Sequence, residues 1–173
     1  MRVRDAVEAD LPRITDIFNQ AIPAGNAEWT ESLHTVGERA EWLSERRRRG
    51  FPVLVAEEVV DGEIVGVASY GDFRDSTCRE GFRFTVEHSV YLDESAKGSG
   101  AATALMDALV EHARGAGVRQ IVATIDATNP ASLRFHERYG FVETGRLPDI
   151  GFTFDTWRTM VIMQLAVEPP HQR

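Results

Sequence analysis

Apolar residues along this chain recur at two periods, and the alternation between these periods predicts the order of its secondary structure. Spacings of three and four predict amphipathic helices, whereas alternating or short continuous apolar runs predict strands. Helical spacing begins after Asp10, Thr35, Gly100 and Asn129, which are residue types common at helix starts and tight turns. The resulting order, βααβββαβαββ, predicts a mixed α/β domain with a right-handed parallel strand–helix–strand crossover around the third helix.

The same pattern gives bounds for six of the seven strands in this order and indicates one turn and one helix start. The six strands are predicted at residues 2–6, 53–59, 63–70, 84–92, 120–125 and 158–167. The dipeptide Asp61-Gly62, between the second and third of these strands, is a strong hairpin signal. Thr35 and Glu38 form a capping-box pattern, which predicts the start of the second helix.

The strand at 84–92 alternates over its whole length, so its two faces should differ. One face carries Phe84, Val86, Val90 and Leu92, and the other carries Thr85, Glu87, Ser89 and Tyr91. His88 falls on the otherwise apolar face, where a hydrogen-bonded core histidine is the simplest expectation. Glu87 is a carboxylate on the polar face.

A small glycine-rich turn follows this strand and leads at once into the third helix. Its residues are Lys97, Gly98, Ser99, Gly100, Ala101 and Ala102. Unpaired backbone N–H groups converge at a helix N-terminus, where the helix dipole adds partial positive charge, and the lysine adds a full charge. The turn therefore predicts a phosphate-binding site, with an ordinary tight turn before a buried helix as the alternative. Neither the P-loop nor the dinucleotide fingerprint is present.

Composition narrows the class of protein further. The 173 residues fit one domain at 1–167, with a disordered tail at 168–173, and the net charge of −8 argues against a nucleic-acid partner. A single cysteine, Cys78, excludes an internal disulfide and a multi-cysteine zinc site, and no metal is expected. The chain has no apolar run of membrane-spanning length and no secretory signal pattern, so we expect a cytoplasmic enzyme without a membrane partner.

Two segments together resemble the GCN5-related N-acetyltransferase (GNAT) superfamily. The turn resembles that family's acyl-CoA loop, Arg/Gln-x-x-Gly-x-Gly/Ala, with Lys97 in the first position. The segment from Asn129 to Phe141 is similar to the family pattern N-x-x-[AS]-x-x-[LF]-Y-x-x-x-G-F, with His136 in place of the tyrosine. That histidine resembles the phosphinothricin acetyltransferase branch.

Further segments resemble the methionine sulfone/sulfoximine acetyltransferases within that branch. They are residues 69–74, 80–83 and 85–91, with Trp29, Arg39 and Trp42 near the start. The departures are Lys97, Ala101-Ala102, Thr153, Asp155, Thr159 and a few extra residues in the loop from Asp75 to Arg79. This loop borders the expected amino-acid pocket.

The resemblance implies a fold and a reaction. The fold is a mixed central sheet with helices on both faces. The reaction is direct transfer of an acetyl group from acetyl-CoA to the α-amine of a small amino-acid-like substrate, carried out by a homodimer in which Trp29, Trp42 and Trp157 are possible interface anchors. Two alternatives stay open: an acetyltransferase acting on protein or peptide amines, and a non-catalytic acyl-CoA-sensing domain.

The resemblance also implies roles for individual residues. The catalytic candidates are Glu87 as general base and His136 as proton donor to the thiolate. Three acetyl-CoA candidates, His88, Ser89 and Val90, would bind the oxyanion through their backbone N–H groups. The other acetyl-CoA candidates are Asn129 and the residues of the turn, Lys97, Gly98, Ser99, Gly100, Ala101 and Ala102. The substrate candidates are Phe73, Arg74, Thr85, Val86 and Glu87, with Arg74 suited to a carboxylate because its guanidinium forms bidentate bonds.

Each role has a purely structural alternative. Glu87 could be a half-buried strand residue paired with Arg74 or Arg83, and His136 could be a surface helix residue. Asn129 is at least a helix cap. The three tryptophans Trp29, Trp42 and Trp157 are more often packing or interface residues than substrate contacts.

Overall fold

The computed structural model describes residues 1–168 of the chain, so all of the predicted tail except Glu168 lies outside the described residues. The strands are β1 (Arg2–Asp5), β2 (Val53–Glu57), β3 (Ile64–Asp72), β4 (Thr85–Leu92), β5 (Gln120–Asp126), β6 (Val142–Thr153) and β7 (Thr156–Ala166). The helices are α1 (Leu11–Ala21), α2 (Val36–Arg48), α3 (Ala101–Gly115) and α4 (Pro130–Tyr139). None of the helices within residues 1–168 has both the length and the apolar character needed to cross a membrane.

The strands form one mixed sheet in the order β1-β2-β3-β4-β5-β7-β6. The pairs β1–β2, β2–β3, β5–β7 and β6–β7 are antiparallel, whereas β4 and β5 are parallel, as the crossover through α3 requires. The element order predicted from the sequence is therefore confirmed, and the fold is mixed α/β.

Contacts divide the chain into two compact units, each of which is described by itself. The first unit comprises Met1–Gln20, His34–Gly71 and His88–Ala113. Its core contains the apolar face predicted for α1, since Ile14 and Ile17 are fully buried beside Phe18 and Leu43. Arg39 stacks on the Phe18 ring with its guanidinium carbon 4.7 Å from the ring centroid.

The second unit comprises Ala21–Leu33, Asp72–Glu87 and the residues from Arg114 onward. It contains the parallel pairing of β4 with β5 and the long β6–β7 hairpin. The prediction of a single domain at 1–167 stays a prediction.

Two helices begin and one ends at residue types that are typical of those positions. Thr35 Oγ1 accepts a hydrogen bond from the Glu38 N–H at 3.2 Å, and Glu38 Oε2 accepts one from the Thr35 N–H at 2.7 Å, which confirms the capping box. Asn129 caps α4 through the Ser132 N–H at 3.1 Å. Gly140 ends α4 with a φ of 110°, a left-handed conformation that favours glycine.

Several predicted boundaries are wrong by a few residues. Strand β2 ends at Glu57, and β3 runs from Ile64 to Asp72, because the turn around Asp61-Gly62 is wider than a two-residue hairpin. It closes with hydrogen bonds from the Gly62 N–H to the Glu58 carbonyl at 3.0 Å and from the Glu58 N–H to the Glu63 carbonyl at 2.9 Å. Strand β7 starts two residues before the predicted position 158.

Gly66 in β3 provides a test of the packing in the first unit. A Cβ there would lie 2.7 Å from Leu92 Cδ2, 3.0 Å from Leu105 Cδ1 and 3.3 Å from the Tyr91 carbonyl oxygen. Because side chains in a close-packed core have little room to move, Gly66→Ala should lower the free energy of unfolding by about 1–3 kcal/mol, measured by urea denaturation. Gly115→Ala is the matched control, because its Cβ meets nothing within 4 Å. Equal stability of the two variants would contradict this packing.

Candidate active site

The glycine-rich turn has the backbone geometry of an anion-binding loop. Gly98 and Gly100 have φ angles of 82° and 90°, which side-chain-bearing residues rarely adopt. A Cβ at either position would meet nothing within 4 Å, so the outer surface of the turn is open to a ligand. Helix α3 starts directly after the turn at Ala101, as predicted.

The start of α3 supplies the donors for such a ligand. The first N–H groups of a helix have no partner inside the helix, and the dipole makes this end partly positive. The Ala101 N–H donates to Ser99 Oγ at 3.3 Å, which closes the turn against the helix. The arrangement fits the pyrophosphate of a coenzyme A molecule in charge, donors and open space.

Lys97 forms an ion pair with a residue of the preceding turn. Its Nζ lies 2.6 Å from Glu94 Oε1, and both side chains are largely exposed. A phosphate group that binds Lys97 must therefore compete with the Glu94 carboxylate.

Asp93 fixes the segment that leads into the turn, and the sequence analysis missed it. Its Oδ1 accepts hydrogen bonds from the Ser95 hydroxyl and from the Ser95 N–H at 2.9 Å. Its Oδ2 accepts bonds from Gln20 Nε2 at 3.0 Å and Arg13 Nη2 at 2.7 Å. These bonds, led by those from Ser95, hold the pKa of Asp93 well below its usual value. The sequence Asp93-x-Ser95 could have indicated these hydrogen bonds, because it is typical of an Asx turn.

The three residues predicted to bind the acetyl group follow the last pair that β4 forms with β5. The register of these strands runs from Thr85 opposite Gln120 to Glu87 opposite Val122 and ends there. His88 is buried at 8% exposure, as expected for a core histidine, and Ser89 and Val90 are half-buried.

Glu87 is held by a threonine rather than by an arginine. Its Oε1 accepts a hydrogen bond of 2.5 Å from the Thr124 hydroxyl on β5. Among residues 1–168 no ion pair joins Glu87 to Arg74 or Arg83. Both arginines are exposed, and each stacks on a neighbouring ring. The guanidinium carbon of Arg74 lies 5.9 Å from the Phe73 ring centroid, and that of Arg83 lies 4.4 Å from the Phe84 ring centroid. The half-buried carboxylate is therefore oriented without a neutralising cation.

Four of the predicted substrate residues lie on or next to β4, and the fifth, Arg74, lies apart from them in a loop. The Phe73 N–H donates to the Thr85 carbonyl at 3.4 Å, and the alternation of β4 places Thr85 on the same side of the strand as Glu87. Val86 is 2% exposed on the opposite side, so only its backbone could reach a ligand on the Glu87 side. Arg74 is exposed in the loop after β3.

His136 is buried at 6% exposure, so the alternative of a surface histidine is wrong. Its Nδ1 lies 2.8 Å from the Ser132 carbonyl oxygen, which can only accept, so this nitrogen carries the proton. Burial lowers the pKa of His136, which favours the neutral ring with its lone pair at Nε2. The ring packs edge-on against Phe135 and Phe141, with centroid distances of 5.2 Å and 5.0 Å.

Asn129 uses its side chain for structure. Besides capping α4, its Nδ2 donates to the Asn26 carbonyl at 3.2 Å and so joins α4 to the segment before Trp29. Its contact with acetyl-CoA stays a prediction.

A polar cluster around the buried Asp126, at the end of β5, was missed by the sequence analysis. Asp126 accepts hydrogen bonds from Trp29 Nε1 at 2.9 Å and from the Thr128 N–H and hydroxyl, both at 2.7 Å. Arg158 on β7 lies beside it, with Nη1 3.8 Å from Asp126 Oδ2. The sequence offered no signal for this cluster, because its members come from three separated segments.

Comparisons with known proteins agree with this geometry. The model of the acetyltransferase (GNAT) family matches residues 11–141. The L-methionine sulfoximine/L-methionine sulfone acetyltransferase of Pseudomonas paraeruginosa (strain DSM 24068 / PA7) is 42% identical over 167 residues, which cover 96% of this chain and 95% of that protein.

Two solved structures extend the comparison. The ribosomal-protein-alanine N-acetyltransferase from Brucella melitensis is similar with a TM-score of 0.90 and 42% identity, covering 96% of this chain and 99% of that one. A GNAT superfamily phosphinothricin acetyltransferase from Sinorhizobium meliloti, solved in complex with acetyl-CoA, has a TM-score of 0.89 and 32% identity, covering 98% and 93% of the two chains.

The ion pair of Lys97 leads to a prediction about acetyl-CoA binding. Lys97→Ala should weaken binding roughly two- to fivefold and make it less sensitive to salt, because one exposed charge contact is lost. Glu94→Gln should tighten binding by a similar factor, because it releases the lysine. Calorimetric titration at two salt concentrations measures both effects.

A matched control lies on α2, where Arg48 pairs with Glu45 at 2.7 Å in another exposed pair with the same sequence spacing. Arg48→Ala should leave the affinity and its salt dependence unchanged. Equal salt slopes for wild type and Lys97→Ala would place Lys97 outside the binding site.

Proposed function

The chain belongs to the acetyltransferase (GNAT) family, and we propose that it acetylates the α-amine of a small amino-acid-like substrate of the methionine sulfoximine, methionine sulfone or phosphinothricin type. The 42% identity to a methionine sulfoximine/sulfone acetyltransferase over 96% of this chain supports this substrate class. A cytoplasmic location and the lack of a metal requirement stay predictions.

Acetyl-CoA supplies the activated acetyl thioester. The turn from Lys97 to Ala102, with the start of α3, would hold its pyrophosphate through backbone donors and one lysine. The relative from Sinorhizobium meliloti that was solved with acetyl-CoA supports this assignment. The backbone N–H groups around His88–Val90, which lie beyond the last β4–β5 pair, are the proposed donors to the oxyanion that forms during transfer.

Glu87 is the proposed general base. An amine must lose a proton before it can attack a carbonyl carbon, because an ammonium nitrogen has no lone pair. The Thr124 hydroxyl holds one carboxylate oxygen of Glu87 by its hydrogen bond, and the second oxygen remains to accept the proton directly or through water. This oriented carboxylate is the observation that carries the proposed function beyond family membership.

His136 is the proposed proton donor to the departing thiolate. Its hydrogen bond to Ser132 determines which ring nitrogen can carry out this role. Since Nδ1 already donates to Ser132, the ring must take up a second proton at Nε2 before it can donate. The proton released from the amine nitrogen after the C–N bond forms can supply it. Burial lowers the pKa of His136, so the ring returns readily to the neutral form.

A panel of amines tests the proposed function. Thiol release from acetyl-CoA, corrected for hydrolysis, should be fastest with L-methionine sulfone, L-methionine sulfoximine or phosphinothricin. A peptide with an N-terminal alanine represents the alternative of a protein substrate, which the likeness to a ribosomal-protein-alanine N-acetyltransferase favours. If the protein binds acetyl-CoA but no amine stimulates thiol release, the alternative of an acyl-CoA sensor replaces the enzyme.

The role of Glu87 predicts the effect of an isosteric change. Glu87→Gln keeps the shape and removes the basicity, so turnover of the best amine at neutral pH should fall by at least about a hundredfold. Part of the loss should be recovered at high pH, where the amine is already deprotonated. The affinity for acetyl-CoA, measured by calorimetry, should stay nearly unchanged.

The exposed acid Glu143, which pairs with Arg146 on β6, provides the control variant Glu143→Gln. This variant should keep full turnover. Full turnover of Glu87→Gln at neutral pH would show that Glu87 is a structural residue.

We also propose that the protein is a homodimer through the β6–β7 hairpin. Ile150, Phe152 and Trp157 are 51%, 57% and 62% exposed, and the last two rings pack together with centroids 5.1 Å apart. An exposed apolar cluster of this kind is typical of an interface. Of the three predicted anchors only Trp157 fits, because Trp29 is bonded to Asp126 and Trp42 packs against the core of the first unit.

Light scattering at micromolar concentration tests the dimer. We expect a mass of about twice the 19.3 kDa of one chain, and Phe152→Asp should shift it toward the monomer by placing a charge in the apolar contact. A wild-type mass near 19.3 kDa would refute the dimer.

A further inference from the structure

Arg158 is a largely buried cation whose donors are not used within residues 1–168. Its side chain is 11% exposed, and its Nε is buried without a hydrogen-bond partner. None of its five N–H groups forms a hydrogen bond within the described residues, and its one ionic contact there is the 3.8 Å approach to Asp126. Buried polar groups are nearly always hydrogen-bonded, so the Nε–H of this guanidinium has an unmet requirement for an acceptor.

Asp126 does not meet that requirement, because its Oδ2 lies 3.8 Å from Arg158 Nη1, which is too long for a hydrogen bond. Its two oxygens instead accept hydrogen bonds from other residues, Oδ2 from Trp29 and Oδ1 twice from Thr128. The carboxylate therefore balances the charge of Arg158 at a distance without occupying its donors. Gly25 closes the other side, since a Cβ there would lie 2.8 Å from Arg158 Nη2.

The register of the strands places Arg158 on the same face of the sheet as Glu87. Glu87 lies opposite Val122, and Thr124 and Asp126 follow it on the same face of β5. Asp126 lies opposite Met160, so Arg158, two residues earlier on β7, also points to this face. Thr153 on β6 shares the face with Arg158, since Gly151 lies opposite Arg158, and its Oγ1 is a second buried group without a partner.

The two charges are each anchored on β5, at successive positions of one face. Glu87 contacts Thr124, and Arg158 approaches Asp126, two residues further along the strand. A small amino acid that places its α-amine at Glu87 therefore has its carboxylate on the face of the sheet that also carries Arg158.

We propose that Arg158 binds the carboxylate of the acceptor amino acid and so sets the specificity for a substrate that carries one next to its amine. This inference rests on the proposed function, since it needs an amine acceptor at Glu87. Asp126, held by Trp29 and Thr128, is a positioning residue for the guanidinium. Arg158 suits this role better than Arg74, because charge-assisted bonds are stronger in a buried site than at an exposed loop.

The test compares L-methionine sulfone with its carboxamide in wild type, Arg158→Leu and Arg158→Lys. In the wild type, loss of the carboxylate should raise the acceptor KM about ten- to a hundredfold. Arg158→Leu should raise the KM for the acid by a similar factor and leave the KM for the amide nearly unchanged. Arg158→Lys should recover part of the discrimination, because it keeps the charge without the fork.

Two readouts separate a binding role from a structural one. The acetyl-CoA KM and the turnover number at saturating acceptor should stay within about threefold of wild type, since only acceptor binding is altered. Arg146→Leu, which removes an exposed arginine on β6, is the control and should keep the discrimination between acid and amide. An Arg158→Leu variant that folds and still discriminates as well as wild type would overturn the proposal.

Failure of the proposed function would give a different result. If no amine stimulates thiol release, calorimetric titration of L-methionine sulfone into the coenzyme A-bound protein still tests Arg158. Binding to wild type that is lost in Arg158→Leu would support the inference, and absence of binding to the wild type would overturn it.

Discussion

The early end of the pairing between β4 and β5 is the constraint on which the rest of the site depends. These parallel strands are in register for three residues, from Thr85 to Glu87, and β4 then continues to Leu92 without a further β5 partner. A strand paired along its whole length would use its N–H groups in the sheet. The N–H groups that follow Glu87 are the proposed donors to the oxyanion, and the Glu87 side chain is anchored to β5 through Thr124.

Carboxylates in this protein differ in how many hydrogen bonds they accept. Asp93 and Asp126 each accept hydrogen bonds from the backbone and hydroxyl of a residue two positions later, Ser95 and Thr128, and each receives a long-range donor as well. Each of these two carboxylates is held in one orientation by several hydrogen bonds. Glu87 instead accepts one hydrogen bond within residues 1–168, from the neutral hydroxyl of Thr124, and its second oxygen is the proposed proton acceptor.

The sequence could predict features that depend on neighbouring residues. The capping box of α2, the Asn129 cap and the glycine turn before α3 all follow from contacts over a few positions, and each is present. The strand boundaries near Asp61-Gly62 failed because turn width depends on hydrogen bonds that the dipeptide alone does not determine.

Contacts between distant segments could not be predicted in the same way. The partner of Glu87 is Thr124, 37 positions away, where the sequence had suggested an arginine. Trp29 meets Asp126 across 97 positions, and no periodicity signals such a pair. The burial of His136 also depends on packing against Phe141, beyond the end of its own helix. The contacts that orient the protonation and specificity candidates are therefore what required the folded structure.

The proposed function rests on direct transfer of the acetyl group from acetyl-CoA to the amine. A single-turnover reaction with isotope-labelled acetyl-CoA and L-methionine sulfone, analysed by intact-protein and small-molecule mass spectrometry, tests this step. Direct transfer predicts that the label appears on the α-nitrogen of the amino acid while the protein never carries an acetyl group. An acetylated protein that forms first and then passes its label to the amine would rule out direct transfer.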